Sequence, residues 1–160
     1  MRHELRQWVA LAGFVAVCFA AAGIGSRFTY PSVGTWYAGL EKPPWSPPNW
    51  LFGPVWTVLY LAMAVAAWLV WRRGGFGGAR LALGLFGVQL VLNAAWSGLF
   101  FGLRSPGAGL ADIVLLWIAI LATILAMRSR SIVAAWLMVP YLAWVSFALV
   151  LNFTIWRMNS

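Results

Sequence analysis

The sequence predicts an all-α membrane protein, a bundle of five transmembrane helices. Of its 160 residues, 63% are hydrophobic and only 9% are charged, whereas a soluble domain carries about 25% charged residues. Because so few charges cannot cover a water-exposed surface, lipid is the alternative solvent. Five apolar stretches approach the length of about 20 residues that a membrane-spanning helix needs. The connectors take up most of the remainder, so a single transmembrane domain is predicted for residues 1–160.

The first apolar run predicts a helix over about residues 8–26. Its charged front resembles the first part of a signal peptide. The run is longer than the usual apolar core of about 7–15 residues, so we interpret it as an uncleaved first helix. The next segment, 27–50, holds a cluster of prolines that excludes a regular helix. It also holds Trp and Tyr residues that suit the headgroup region, and is predicted to be a structured loop capping one end of the bundle.

Four further apolar runs predict the remaining helices. Ser105 is a candidate N-cap for the fourth helix, with Pro106 in its first turn. The approximate bounds of the four helices are 52–71, 79–101, 107–127 and 132–156.

The formal net charge of +8 would suggest nucleic acid in a soluble protein. Here the basic residues lie between apolar runs, as topology anchors, so nucleic-acid binding is not expected. The side that holds the N-terminus has seven of them: Arg2, Arg6, Arg72, Arg73, Arg80, Arg128 and Arg130. The other side has four: Arg27, Lys42, Arg104 and Arg157. This excess predicts a cytoplasmic N-terminus and an external Pro/Trp-rich loop.

A polar stripe marks the third helix. Gln89, Asn93 and Ser97 recur every four residues in an otherwise apolar run, and polar groups in a bilayer must find partners inside the protein. The stripe therefore indicates either interhelical hydrogen bonds or the polar wall of an aromatic ligand pocket. Aromatic and apolar residues at helical spacing accompany it: Trp56, Tyr60 and Met63 on the second helix, Trp96 and Phe100 on the third, and Trp144, Phe147, Ala148 and Leu151 on the fifth.

The sequence lacks the residues that several classes of enzyme need. No paired carboxylates, His/Cys cluster or nucleophile–base pair is visible in the sequence, so hydrolytic, metal-dependent and nucleophilic mechanisms are not expected, nor is a metal site. A haem ligand is hard to place, because thiolate or imidazole ligation would need Cys18 or His3. Asp112 is the only acid inside a helical run. It is either a functional carboxylate or a structural one near a helix N-terminus, paired with Arg104.

Five blocks of residues resemble the TspO/MBR family, whose members are called translocator proteins or tryptophan-rich sensory proteins. Residues 36–48 read WYAGLEKPPWSPP and resemble the family's W-Y-x-x-L-x-K-P-x-W-x-P-P loop. The other blocks lie in the same order as in the family and cover the second helix (54–60), the third (89–96) and the fifth (140–144 and 151–157).

The resemblance implies a five-helix bundle, commonly a homodimer, with a pocket under the first loop that binds porphyrins. In animal members this pocket also binds isoquinoline and benzodiazepine-type drugs. Some members degrade protoporphyrin in the light with two pocket tryptophans, which correspond here to Trp56 and Trp144. The remaining pocket positions correspond to Tyr37, Pro47, Asn93, Trp96, Ser97 and Ala148. No cofactor is required, and a porphyrin would be a ligand.

Two family features are altered or ambiguous in this chain. The sterol-associated stretch of the fifth helix has Phe153 where the family has Tyr, although Arg157 is retained, so sterol binding is doubtful. The family dimerises through the third helix. Either the small residues Ala94, Gly98 and Gly102 or the face around Gly84, interrupted by Val88, would serve here.

Three functions follow as hypotheses. The first is a membrane receptor or sensor for protoporphyrin IX and related apolar ligands, with slow light-dependent porphyrin breakdown as its only enzymatic activity. The second is a transporter of tetrapyrroles or other hydrophobic ligands. The third is a structural membrane component whose pocket is incidental. The family type and the short N-terminus indicate a bacterial source and hence the bacterial cell membrane, with the outer membrane as the alternative.

Overall fold

A computed structural model describes residues 2–160 of the chain. Five of its helices are long and apolar enough to cross a membrane, which confirms the predicted all-α membrane bundle. These helices are α1 (Arg2–Val33), α2 (Asn49–Gly78), α3 (Arg80–Ser97, continued by a π-helical turn at Gly98–Gly102), α4 (Pro106–Arg128) and α5 (Ile132–Met158). A short 3₁₀ turn, Tyr37–Gly39, lies in the connection between α1 and α2.

The helices pack around a common core in the ring order α1, α2, α5, α4, α3, and α2 also touches α3. Met63, Ile120, Met138 and Tyr141 are fully buried at the centre. We call the end of the bundle that holds the N-terminus, the α2–α3 turn and the α4–α5 turn the N-terminal end, and the opposite end the loop end. At the N-terminal end α1 is held closely to α2, because Trp68 Nε1 donates a hydrogen bond to the Gln7 carbonyl at 3.0 Å.

Helix α1 is longer than the predicted run of 8–26, and the predicted loop 27–50 is correspondingly shorter. The helix continues through Arg27 to Val33 and includes Pro31. A charged residue ends an apolar run but not a helix, and a proline near a helix end interrupts few backbone hydrogen bonds. The loop end of α1 therefore lies beside the loop that caps the bundle.

Helix α2 also extends beyond its predicted bounds of 52–71. It begins at Asn49 and continues past Arg72 and Arg73 to Gly78. The helical path breaks at Gly75, where φ is 60° and ψ is −168°. Arg73 Nη1 donates a hydrogen bond to the Arg130 carbonyl at 2.7 Å, which ties this end of α2 to the α4–α5 turn.

Helices α4 and α5 each begin with a serine N-cap. Ser105 Oγ accepts a hydrogen bond from Ala108 N, and Ser131 Oγ accepts one from Ala134 N, each at 3.2 Å. Pro106 occupies the first turn of α4, as predicted. These serines satisfy backbone N–H groups that a helix start would otherwise leave unpaired.

The π-helical turn at Gly98–Gly102 changes which side chains of α3 face inward. A π turn accommodates one extra residue in the helix, and both Phe100 and Phe101 are buried here. Ser32 Oγ of α1 donates a hydrogen bond to the Phe101 carbonyl at 3.0 Å. The turn thus joins the end of α3 to the end of α1.

Replacing Gly75 by Ala is expected to lower the free energy of unfolding by about 1–3 kcal/mol, because its backbone conformation is essentially restricted to glycine. The matched control is Gly77→Ala, where an added Cβ would meet no atom within 4 Å. That methyl group should raise helix stability by about 0.5–1 kcal/mol. Thermal unfolding of the detergent-solubilised variants, followed by circular dichroism, measures both effects. Equal stability of the two variants would contradict the assignment of strain to Gly75.

Candidate ligand-binding site

A cavity of about 420 Å³ lies between α1, α2 and α3 toward the loop end of the bundle. Small-molecule pockets usually measure about 300–1,000 Å³ and are mostly apolar with a few polar groups. Within the described chain, no residue with a charged side chain lines this one. The lining residues are Phe19, Ala22, Gly23, Gly25, Ser26, Thr29, Tyr30 and Val33 of α1, Tyr37 of the loop, Asn49, Phe52, Gly53, Trp56, Thr57 and Tyr60 of α2, and Asn93, Trp96, Ser97 and Phe101 of α3.

Two tryptophans on different helices form parts of the cavity wall. The Trp56 ring lies 5.6 Å from the Tyr60 ring, one helical turn further along α2. On α3, Trp96 is stacked on Phe100 with ring centroids 5.3 Å apart and planes at 24°. Phe101 stands nearly perpendicular to Trp96 at 5.8 Å. The π turn makes this arrangement possible because it brings both phenylalanines beside the tryptophan.

Asn152 of α5 fixes the orientation of Trp96. Its Oδ1 accepts a hydrogen bond from Trp96 Nε1 at 3.0 Å, and its Nδ2 donates one to the Pro106 carbonyl at 2.8 Å. Asn152 does not line the main cavity, but it holds the indole edge of a residue that does. Asn152 lies in one of the blocks that resemble the family, yet nothing in the sequence connects it to Trp96.

A buried hydrogen-bond chain joins α2, α3 and α5 behind the cavity. Tyr60 Oη donates to Asn93 Oδ1 at 3.0 Å, and Asn93 Nδ2 donates to Tyr141 Oη at 2.6 Å. Tyr141 Oη in turn donates to Gln89 Oε1 at 2.7 Å. Gln89 and Tyr141 are fully buried, whereas Tyr60 and Asn93 line the cavity. The polar stripe of α3 therefore makes interhelical hydrogen bonds and also forms part of the pocket wall.

The cavity opens sideways between α1 and α2. Its rim consists of lining residues that are exposed on the outside of the bundle: Phe19, Gly23 and Tyr30 on α1, and Asn49, Gly53 and Thr57 on α2. An added Cβ at Gly23 or Gly53 would meet no atom within 4 Å. Since both helices span the membrane, this opening faces lipid, and a ligand dissolved in the bilayer has a direct route to the cavity.

The loop above the cavity is held by a lysine and by the end of α5. Lys42 Nζ donates hydrogen bonds to the Tyr37 and Leu40 carbonyls at 2.8 and 2.9 Å, and it lies 4.9 Å from the Tyr37 ring centroid. Burial raises the pKa of the Tyr37 hydroxyl above its ordinary value. Asn159 exchanges two hydrogen bonds with the Glu41 backbone, at 3.0 and 2.9 Å. The loop is therefore a fixed cover that places Tyr37 against the cavity.

Most of the site residues that the sequence predicted lie around this cavity. Tyr37, Trp56, Asn93, Trp96 and Ser97 all line it.

The other predicted pocket residues lie elsewhere. Pro47 is half-buried in the loop, and Ala148 lines a separate cavity of about 30 Å³. Trp144 lines neither cavity. Its ring meets the edge of Phe52, a residue that lines both, at a centroid distance of 6.1 Å. One aromatic ring thus separates Trp144 from the main cavity.

Phe153 and Arg157, the remnant of the sterol-associated stretch, are exposed on α5. Phe153 is 47% accessible, and its ring lies 6.1 Å from that of Trp156. Neither residue lines the cavity between α1, α2 and α3. This surface is separate from the candidate site.

Sequence reasoning assigned no site residue to α1, although α1 supplies much of the lining. A usable signal was present, because Ala22, Ser26, Thr29 and Val33 follow one helical face. All four line the cavity. The predicted end of α1 at residue 26 concealed this stripe by placing half of it in the loop.

One of the two candidate dimer surfaces of α3 is occupied inside the chain. A Cβ added at Gly102 would lie 2.9 Å from the Phe28 ring of α1, and one added at Gly98 would lie 3.7 Å from it. The small residues at this face therefore admit Phe28. By contrast, Gly84, Val88 and Val91 are all exposed on α3.

Asp112 is buried between helices of the bundle, with 7% of its surface accessible. Its Oδ2 has no hydrogen-bond partner among residues 2–160. The pairing with Arg104, one of the two alternatives that the sequence left open, is therefore not formed through this oxygen. Arg104 instead lies in the α3–α4 connection, where its φ is 52°.

Comparison with known proteins identifies similar chains across bacteria, archaea and animals. The model of the TspO/MBR family matches residues 14–157. The tryptophan-rich protein TspO of Chlorobaculum tepidum is 46% identical over 158 residues, which cover 96% of this chain and 98% of the relative. The human translocator protein is also 46% identical, over 95% of this chain and 91% of its own. The tryptophan-rich protein TspO of Archaeoglobus fulgidus is 45% identical over 98% of both chains.

Proposed function

This chain belongs to the TspO/MBR family, and on that premise we propose that it is a membrane receptor or sensor for porphyrins. Protoporphyrin IX and related apolar ligands would bind in the cavity between α1, α2 and α3. The observation that carries this proposal is an uncharged, aromatic cavity of about 420 Å³ that opens to the lipid. A planar, apolar ligand that dissolves in membranes matches both the lining and the opening.

The chemistry of a porphyrin agrees with the groups around the cavity. Its ring offers two large apolar faces, and indole and phenyl rings interact with such faces by about 0.5–1.5 kcal/mol per aromatic pair beyond burial. Trp56 and Trp96 provide these rings. The porphyrin carboxylates would stay at the open rim, because a charged group without a partner is costly inside a bilayer. Asn49 and Tyr30 offer polar groups at that rim.

Titration with protoporphyrin IX in the dark tests the binding proposal directly. Saturable quenching of tryptophan fluorescence is expected, and Trp56→Phe should weaken binding by about 3- to 10-fold, since it removes one indole contact. The matched control is Trp136→Phe, because Trp136 is 67% exposed on α5 and does not line the cavity. Absence of saturable quenching in the wild type would reject protoporphyrin IX as a ligand.

We extend the proposal to light-dependent porphyrin breakdown, an oxidation that would consume dissolved dioxygen. Trp56 lines the cavity, whereas Trp144 is separated from it by Phe52. Trp144→Phe is therefore expected to slow the light-dependent loss of the porphyrin absorption band while changing the dissociation constant by less than about twofold. Trp56→Phe should affect both quantities. An unchanged rate of loss in Trp144→Phe would remove Trp144 from the chemistry.

Access from the bilayer generates a separate test. Gly53→Trp would place an indole in the opening, where an added Cβ meets no neighbouring atom within 4 Å. The association and dissociation rates of protoporphyrin IX should fall together, by about tenfold, since crossing the opening is a shared step for both. Gly13→Trp on the exposed outer face of α1 is the control, and an added Cβ there is equally free. Unchanged rates in Gly53→Trp would reject the lateral route.

Transport of tetrapyrroles or other hydrophobic ligands is the second candidate function. It is supported by the name translocator protein that animal relatives carry. The chain of Tyr60, Asn93, Tyr141 and Gln89 lies behind the cavity, so passage to the N-terminal end would require α2, α3 and α5 to separate. Protein-dependent movement of protoporphyrin IX across proteoliposomes in the dark would favour transport over reception.

We also propose that the chain forms a homodimer in a bacterial cell membrane, with its N-terminus in the cytoplasm. The open face of α3 around Gly84 is the candidate contact, because Phe28 covers the alternative face at Gly98 and Gly102. Gly84→Trp is expected to shift the detergent-solubilised protein from dimer to monomer in light-scattering measurements, while Gly13→Trp leaves the dimer intact. A dimer that persists in Gly84→Trp would exclude this face.

A further inference from the structure

The hydrogen-bond chain behind the cavity has a fixed direction. Gln89 Nε2 lies 3.7 Å from Met63 Sδ, and a thioether sulfur only accepts hydrogen bonds. The other side of the Gln89 amide, Oε1, therefore faces Tyr141 Oη, which lies 2.7 Å away. Because a carbonyl oxygen cannot donate, Tyr141 must use its single hydroxyl hydrogen on Gln89.

The same donor-to-acceptor order continues to the cavity wall. Tyr141 has no hydrogen left, so its oxygen accepts from Asn93 Nδ2 at 2.6 Å. This orients the Asn93 amide with Oδ1 toward Tyr60, which must then donate its hydroxyl hydrogen at 3.0 Å. The Tyr60 oxygen is left with lone pairs alone. Each hydroxyl hydrogen in the chain is committed to a protein acceptor.

Tyr60 and Asn93 line the cavity, while Tyr141 and Gln89 lie behind it and are fully buried. We infer that Gln89 and Tyr141 are positioning residues that make Tyr60 Oη a hydrogen-bond acceptor toward the cavity, and that the site thereby selects flat aromatic ligands that carry a ring N–H group. Such groups occur in pyrrole-type and indole-type rings. This inference rests on the proposed function of the cavity as a ligand site and specifies the class of ligand.

Selection between ligands with and without an N–H group is strong in a site from which water is largely excluded. A ligand that lacks the N–H group would cover Tyr60 without giving its hydroxyl oxygen a hydrogen bond, and a site built to bond a polar group discriminates against analogues that lack it. The neighbouring Trp56 ring lies 5.6 Å from Tyr60 and 6.1 Å from Tyr141. It supplies the aromatic surface against which a flat ring would lie.

Carbazole and dibenzofuran form a matched pair of probes, since they share one tricyclic shape and differ in an N–H group against an ether oxygen. Their dissociation constants can be measured by equilibrium dialysis against the protein in nanodiscs, with empty nanodiscs as the correction for lipid partition. The wild type is expected to prefer carbazole by about fivefold or more, the factor that one net hydrogen bond contributes.

Gln89→Leu frees the Tyr141 hydrogen, so the Asn93 amide can turn around and Tyr60 can present its own hydrogen to the cavity. The carbazole preference should then fall to about twofold or less, or reverse, although residue 89 does not touch the cavity. Tyr141→Phe should do the same and serves as the second variant if Gln89→Leu does not fold. The control is Ser146→Ala, which breaks the buried Trp117–Ser146 hydrogen bond elsewhere in the bundle and should leave the preference unchanged.

Equal binding of the two probes to the wild type would overturn the inference, and so would a carbazole preference that survives in both Gln89→Leu and Tyr141→Phe. If neither probe binds while protoporphyrin IX still quenches saturably, the inference fails and the proposed porphyrin function stands. If protoporphyrin IX also fails to bind, both fail together. Loss of the preference in both variants but not in Ser146→Ala supports the inference.

Discussion

The structure depends on the requirement that polar groups inside a bilayer find their partners within the protein. An unpaired polar group costs several kcal/mol in hydrocarbon, where no water can replace the missing hydrogen bond. Gln89 and Asn93 on α3 meet this requirement through Tyr60 of α2 and Tyr141 of α5. Because the four bonded residues lie on three different helices, these hydrogen bonds set the rotation of each helix about its own axis and the depth at which the helices meet.

The cavity follows from the way the helices are held at their two ends. At the N-terminal end, α1 is tied to α2 by the Trp68–Gln7 hydrogen bond and by the edge contact of Phe14 with Trp71. At the loop end, α1 instead contacts the end of α3, through Ser32 and Phe28. Helix α1 therefore diverges from α2 toward the loop end, and the space between the two helices becomes an aromatic pocket with an opening to lipid.

The rigidity of the pocket comes from residues outside it. Asn152 orients Trp96, Lys42 holds the loop that carries Tyr37, and Gln89 with Tyr141 orients Asn93. Polar contacts of this kind specify one arrangement of side chains more strictly than apolar packing does. A cavity whose lining is mostly apolar thus has its wall oriented by a small number of buried amides behind it.

The sequence by itself determined the membrane environment, the five helices, the cap at Ser105 and five of the residues around the cavity. These follow from composition, local patterning and short motifs, which depend on neighbouring residues. Only the tertiary structure decided that α1 lines the pocket, that Phe52 separates Trp144 from it, and that Phe28 covers Gly98 and Gly102. The physical reason is that each of these contacts joins residues far apart in the chain. In a helix that is apolar on every face, periodicity does not show which face meets lipid and which meets another helix.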